Sequence, residues 1–147
     1  ARVGGTDLAA RLSVRYGSRL GALAVLGLVP SFADELLVLE GQLLLGPSLR
    51  LELNAEAELE VGLVAGAVVH FFHLSDVAAL EPAGVRLDLA AALPVTFAYW
   101  PAQHFGIGAR VAPGIASQGR EHRKGERALW SRGSASIEAA AMLVARF

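Results

Sequence analysis

The sequence predicts an all-β protein built from antiparallel strands. Residues 49–63 show this most clearly, because every odd position is apolar while the even positions hold one arginine, four glutamates, an asparagine and a glycine. Side chains of a strand point alternately to two faces, so this period of two gives one apolar face and one charged face. A helix would spread the same charges around its whole circumference. The alternation recurs along the chain between turn residues, and no helix is predicted between the strands.

Four strands are predicted in the first part of the chain, each ending near glycine, proline, serine or asparagine. They cover residues 8–16, 20–29, 35–45 and 49–53. Gly46-Pro47-Ser48 is interpreted as the turn between the third and the fourth strand. The alternation also continues through these three residues, so one long strand, and a total of seven strands, is the alternative to eight.

Four further strands are predicted in the second part of the chain. They cover residues 55–72, 85–99 and 105–115 and a final segment that ends at Phe147. The connections at 74–84, 101–102 and 117–127 are alternately long, short and long. Consecutive antiparallel strands of this kind predict a single antiparallel up-and-down β-barrel of eight strands, and residues 1–147 are interpreted as one domain.

The composition is more apolar than that of an ordinary soluble β protein. Hydrophobic residues make up 54% of the chain and charged residues 18%, against about 25% charged in an average globular domain. A net charge of −1 does not favour binding to nucleic acid. The absence of cysteine excludes disulfides and thiolate metal sites. The four histidines do not have the spacing of a metal site, so neither a metal nor another cofactor is expected.

The charged faces of the strands are predicted to share the interior of the barrel and to pair there. Arginine suits such partly buried ion pairs better than lysine, and Lys124 is the only lysine in the chain. The predicted lumen network consists of Arg11, Arg15, Arg50, Glu52, Glu56, Glu58, Glu60, Arg86, Asp88, Arg110 and Glu138. A soluble sandwich, or a soluble lipocalin-like barrel that binds a hydrophobic ligand, would show the same alternation with its apolar faces turned inward.

Aromatic residues near the strand ends favour the arrangement with the charges inside. One set, Tyr16, Phe71 and Trp130, is placed beside one group of loops, and the other set is Phe97, Tyr99, Phe105 and Phe147. Two aromatic girdles around an aliphatic band are typical of a membrane-spanning barrel, and strands of about 10 residues are long enough to cross. The predicted fold is therefore a transmembrane β-barrel.

The end of the chain carries a family resemblance. Residues 139–147 alternate and end in an aromatic residue, with Ala141, Leu143, Ala145 and Phe147 on one face. This segment resembles the C-terminal signature of bacterial outer-membrane β-barrels, and the whole chain is similar to the small OmpX/OmpA-type barrels. The resemblance implies a Gram-negative outer-membrane location, Phe147 as the signal read by the barrel-assembly machinery, and contact with outer-membrane lipids and lipopolysaccharide. It also implies periplasmic turns at 30–34, 54–56 and 101–102 and outer loops at 74–84 and 117–127.

The expected function is a structural or surface-interaction role in the cell envelope, through these outer loops. A lumen filled by side chains would not conduct solutes as a general pore. An enzyme is a further alternative, because His73-Leu74-Ser75 followed by Glu81 resembles the His-x-Ser pair plus glutamate of the outer-membrane lipid A deacylase barrels. The aromatic and asparagine context of that family is missing here, so no catalytic residue is assigned.

Overall fold

A computed structural model describes residues 10–33, 36–74, 83–124 and 126–146, with the side chains at positions 11, 33, 124 and 127 left out. The described chain is all-β and antiparallel, as predicted, and contains no helix. Its strands are β1 (Ala10–Gly17), β2 (Leu20–Ala33), β3 (Leu36–Glu52), β4 (Ala57–Gly62), β5 (Val64–Leu74), β6 (Ala83–Ala92), β7 (Val95–Tyr99), β8 (Phe105–Ala116), β9 (Arg120–Lys124), β10 (Arg127–Arg132) and β11 (Ala135–Ala145).

The strands form an antiparallel β-barrel. Six strands are linked in a closed ring, in which β3 pairs with β4, β4 with β7, β7 with β8, β8 with β6, β6 with β5 and β5 with β3. β2, β1 and β11 extend the wall on either side. Side chains also meet across the interior: Arg110 of β8 donates to Ser13 of β1 at 2.6 Å, although these strands are not neighbours in the sheet. In the ranges that the structure describes, no helix is long and apolar enough to cross a membrane.

Several strands are halves of one longer path of the chain. β4 and β5 pair with β3 in one continuous register. β7 pairs with β4 and β6 pairs with β5, again in one register, and both β6 and β7 pair with β8 in one register. The described chain therefore makes seven antiparallel passes, which are 10–17, 20–33, 36–52, 57–74, 83–99, 105–124 and 127–145. Leu63 interrupts the path between β4 and β5, and Pro94 interrupts it between β6 and β7; the two interruptions lie side by side. Pro94, and Pro47 of β3 next to Leu63, have no N–H to donate to the ladder.

The predicted break between the third and fourth strands is wrong. Gly46, Pro47 and Ser48 lie inside β3, opposite Leu23, Ala22 and Gly21 of β2. Pro47 is tolerated there because its carbonyl accepts the N–H of Leu63 at 3.0 Å while its own nitrogen needs no partner. The prediction of eight strands is not confirmed, and the long-strand alternative describes residues 36–52 correctly.

This correction changes which connections share an end of the barrel. We call one end of the barrel the hairpin end. There β2 is followed by β3, β5 is followed by β6, and the β9–β10 hairpin is located. The opposite end, called the short-turn end, carries the connections at 18–19, 53–56 and 100–104. The predicted grouping of 30–34 with 54–56 and 101–102 is therefore wrong, because β3 runs the whole height of the wall in one pass.

The two faces of the wall are chemically opposite. Outward positions carry large apolar side chains that are exposed on nearly every pass, among them Leu26, Leu43, Leu89, Ile115 and Leu143, exposed by 48, 48, 68, 64 and 88%. Inward positions are buried and include Glu40, His70, Asp88 and Arg110. Between the inward charges lies an apolar cluster of Leu23, Val25, Leu44 and Val64.

Close packing of neighbouring passes requires glycine at Gly66. A Cβ added there would lie 2.0 Å from the carbonyl oxygen of Leu43, whereas a Cβ at Gly41 would meet nothing within 4 Å. We expect Gly66→Ala to lower the free energy of unfolding by about 1–3 kcal/mol through overpacking. Gly41→Ala is the matched control and should be neutral or slightly stabilising. Denaturant titration of both variants measures this, and equal midpoints would contradict the close approach.

Candidate functional site: the polar lumen and its plug

Four charged side chains form a connected cluster inside the hairpin end. Arg132 of β10 donates to Glu40 of β3 at 2.6 Å and to Asp88 of β6 at 2.7 Å. Arg120 of β9 contacts the same Asp88 carboxylate through two nitrogens. Glu40 and Asp88 are only 5% and 2% exposed, so each buried carboxylate meets an arginine supplied by the hairpin. The hairpin is thereby tied to the inner wall of the barrel.

Two histidines continue this cluster. His70, which is fully buried on β5, lies 3.3 Å through Nδ1 from the Glu40 carboxylate. Its Nε2 lies 2.9 Å from Nε2 of His122 on β9, and the two rings stack with centroids 5.2 Å apart. Because an ionised carboxylate can only accept, His70 donates from Nδ1 to Glu40, and one of the two facing Nε2 atoms donates to the other. This arrangement links β3, β5 and the hairpin through one chain of hydrogen bonds.

An apolar contact completes the plug. Leu129 and the fully buried Trp130 of β10 pack against Leu36, Val38 and Phe72 of the opposite inner wall. The ring of Trp130 also lies 5.0 Å from that of His70. The hairpin β9–β10 therefore folds its inner face against β3 and β5. We call this unit, residues 120–132 with the inner-wall side chains that they contact, the plug.

The outer face of the hairpin is polar. Its outward positions carry Glu121 and Arg123, which pair at 3.1 Å while about half exposed. The inward His122 is different, because burial lowers its pKa to about 4, assisted by the nearby His70, Arg86 and Arg120. Protonated His122 therefore fits the folded plug poorly.

This pKa predicts that acid loosens the plug. In the open plug the pKa of His122 is the ordinary histidine value of about 6.5, whereas in the closed plug it is about 4. Between these two pH values the open plug therefore binds a proton that the closed plug does not. The stabilisation is complete above pH 6.5 and is lost as the pH falls from 6.5 to 4, by at most about 3 kcal/mol. Fluorescence of Trp130 during denaturant titration across this range measures the effect. His122→Phe should flatten the pH dependence and His73→Ala should not; an unchanged slope in His122→Phe would contradict this role.

A second polar layer lies toward the short-turn end. Arg15 of β1 pairs across the lumen with Glu60 of β4 at 3.2 Å, and Arg50 pairs with Glu58 at 3.3 Å. Arg110 donates to Ser13 Oγ, as described above. These contacts involve five of the predicted lumen residues, Arg15, Arg50, Glu58, Glu60 and Arg110.

Asp88 belongs to the cluster at the hairpin end. The other members of the predicted network lie elsewhere. Glu52 and Glu56 are exposed at the short-turn end, where Glu56 accepts a hydrogen bond of 3.1 Å from the Tyr99 hydroxyl. Arg86 is exposed near the plug, with its guanidinium 5.5 Å from the centre of the Phe72 ring. Glu138 lies on the inner face of β11. The side chain of Arg11 lies outside the described part of the structure.

Sequence reasoning missed the plug. It treated residues 117–127 as a solvated loop and did not assign a role to Arg120, His122 or Arg132. A signal was present, because these residues and Trp130 continue the even-numbered inward positions of β8 and β11. Only the high density of charge in 118–127 argued for a loop, and in the structure two of those charged or polar side chains, Arg120 and His122, point inward.

The aromatic sets also need correction. Tyr16 lies at the short-turn end with Phe97, Tyr99 and Phe105, because β3 is a single pass. Trp130 is fully buried in the plug, since its position faces inward. At the hairpin end the exposed aromatic residues are Phe71 and Phe32, which the prediction did not include. Phe147, which the prediction placed in a girdle and as the assembly signal, lies outside the described residues.

The proposed deacylase-like residues do not form a site in the described chain. His73 is exposed on the outward face of β5, next to the buried Phe72. Ser75 and Glu81 lie outside the described residues. In the ranges that the structure covers, no group of three or more histidine or carboxylate side chains is arranged to hold a metal ion.

The lumen is not completely filled. A cavity of about 1730 Å³ runs from the lumen to the edge of the wall at β11, where it is lined by residues of both faces of that strand. The prediction of a lumen packed throughout by side chains is therefore too simple, since the plug and the ion pairs leave space beside β11. No protein-family model, curated protein or solved structure matches this chain.

Proposed function

We propose that this chain is an integral outer-membrane β-barrel that acts as a structural and surface-interaction protein of the cell envelope. The observation that carries the proposal is the orientation of the wall, with large apolar side chains outside and ion pairs inside. The soluble lipocalin-like alternative needs the reverse orientation. The proposal therefore depends on what covers the outer face.

The outer apolar surface is too extensive for a soluble monomer. Exposed leucine, valine, isoleucine and aromatic side chains occur on all seven passes. Soluble monomers rarely expose contiguous apolar patches above a few hundred Å². Removing one such side chain from water contributes about 1.5–3 kcal/mol, so a lipid environment would stabilise this surface strongly. Aromatic residues at both ends of the band suit the two water interfaces of a bilayer.

The plug supports a role other than transport. Arg120 and Arg132 join the hairpin to the inner wall, and Trp130 fills the space between them and Phe72. The outer surface of the hairpin instead offers Glu121, Arg123 and Glu126 to solvent. These groups supply the surface through which we propose contact with lipopolysaccharide or with a protein partner.

Refolding into phospholipid vesicles tests the proposal. We expect the protein to float with the vesicles, to migrate differently on gels before and after heating, and to show no large stable conductance in planar bilayers. A matched preparation without lipid or detergent should aggregate. Monodisperse protein in plain buffer would contradict the membrane proposal, and a large stable conductance would contradict the closed lumen.

A further inference from the structure

Within the described residues, Arg110 is a buried cation that forms no ion pair with a carboxylate. It lies on the inner face of β8 and is 5% exposed. One of its terminal nitrogens donates to Ser13 Oγ at 2.6 Å, and its Nε has no hydrogen-bond partner in the described structure. Glu60 attracts it across the lumen but is paired with Arg15 at 3.2 Å. A guanidinium removed from water without a full set of partners is costly, so a bound anion would be stabilised here.

A cleft leads to this arginine. The cavity that Arg110 lines also follows every residue of β11, from Gly133 before the strand to Arg146 after it. Among the described strands β11 pairs only with β8, and β1 pairs only with β2, so the cleft runs where these two edges face each other without backbone pairing. Its volume of about 1730 Å³ exceeds the roughly 300–1,000 Å³ of pockets that hold drug-sized ligands.

The lining of the cleft is mixed and includes apolar side chains on both sides of Arg110. Leu44, Val68, Ala112, Met142 and Val144 line it, which suits a hydrocarbon chain. In the half-buried layer around Arg110, Arg15 pairs with Glu60 and Arg50 with Glu58, so the described ion pairs of this layer do not include Arg110. Glu138 also lines the cleft and takes part in an interaction of its own.

We propose that the cleft binds a long-chain amphiphile with a single anionic headgroup, such as a fatty-acid carboxylate. The headgroup accepts hydrogen bonds from Arg110, and the chain lies along β11. Charge-assisted hydrogen bonds of arginine to a carboxylate are stronger than those to a neutral hydroxyl, which favours a carboxylate over Ser13 as the main partner. The proposal rests on the proposed function in one respect, since the amphiphile would enter from the lipid between β1 and β11.

Tryptophan quenching supplies a direct readout. Trp100 lines the cleft, whereas Trp130 lies in the plug and does not. The probes are a long-chain fatty acid brominated in mid-chain and its uncharged methyl ester, added to protein in zwitterionic phosphatidylcholine vesicles. We expect saturable quenching by the acid, quenching by the ester that is at least about tenfold weaker, and loss of the signal in Trp100→Phe.

Three variants identify the headgroup site. Arg110→Gln should weaken binding of the acid at least about tenfold. Ala140 faces Arg110 in the pairing of β8 with β11, so Ala140→Glu would supply an internal carboxylate and should block binding in a folded barrel. Arg123→Gln is the control, since it removes an exposed arginine that does not line the cleft, and should leave binding within about twofold.

The other outcomes contradict the proposal. Equal quenching by acid and ester would mean that Trp100 only senses surrounding lipid. Quenching by neither would mean that the cleft is filled, as by a further strand of polypeptide. Equal losses in Arg123→Gln and Arg110→Gln would indicate general electrostatic attraction. Failure of the wild-type protein to float with vesicles, measured before any probe is added, would contradict the membrane proposal instead.

Discussion

Replacing Leu43 with arginine should lower the free energy of unfolding in vesicles by about 2–4 kcal/mol, the cost of an arginine on the lipid face at mid-depth of a barrel. Leu43 is central in β3, points outward and is 48% exposed. In water the same substitution at an exposed strand position would change stability by less than about 0.5 kcal/mol. The effect thus distinguishes lipid from water at this face.

Leu20→Arg is the matched control for this prediction. Leu20 is the first residue of β2, at the short-turn end, and is 75% exposed. Near the interface an arginine costs about 0–1 kcal/mol. Reversible denaturant unfolding from vesicles measures both variants. Equal and small effects at the two depths would mean that the outer face is not in contact with hydrocarbon.

Arg132→Met should destabilise the plug by about 3–5 kcal/mol, because it leaves the buried Glu40 carboxylate without its arginine. Asp88 is less affected, since Arg120 remains. We expect Trp130 to become accessible to an aqueous quencher in this variant at neutral pH. The plug would then be open while the wall of the barrel stays folded.

Two comparisons separate this effect from a general loss of stability. Adding Glu40→Gln to Arg132→Met should recover part of the loss, since a neutral amide is less costly to bury than a carboxylate that has lost its arginine. Arg123→Met removes an exposed pair with Glu121 and should cost no more than about 1 kcal/mol. A similarly small effect of Arg132→Met would mean that the buried ion pairs do not hold the hairpin in place.

The fold was largely predictable because its pattern is local. A period of two persists through each pass, and it correctly predicted an all-β antiparallel fold. The error at Pro47 arose because proline and glycine usually end strands. In this sheet the missing N–H falls at an interruption between β4 and β5, where no donor is needed.

The plug depended on contacts between residues far apart in the chain. Arg132 and Glu40 are separated by 92 positions, and His122 and His70 by 52. Periodicity could place each side chain on a face, but it could not show that the hairpin turns that face against β3 and β5. Trp130 was misplaced for the same reason. Its position near a strand end fits an aromatic girdle as well as a buried site, and its burial depends on contacts with residues far away in the chain.

Spin-label accessibility along β3 tests the central claim that the apolar face contacts lipid. The chain contains no cysteine, so single cysteines at 41, 43 and 45 on the outward face, and at 42 and 44 on the inward face, can be labelled selectively. In vesicles we predict that outward labels collide with oxygen, which concentrates in hydrocarbon, and are protected from a water-soluble nickel complex, while inward labels show low collision rates with oxygen. Outward labels that the nickel complex reaches freely would contradict the account.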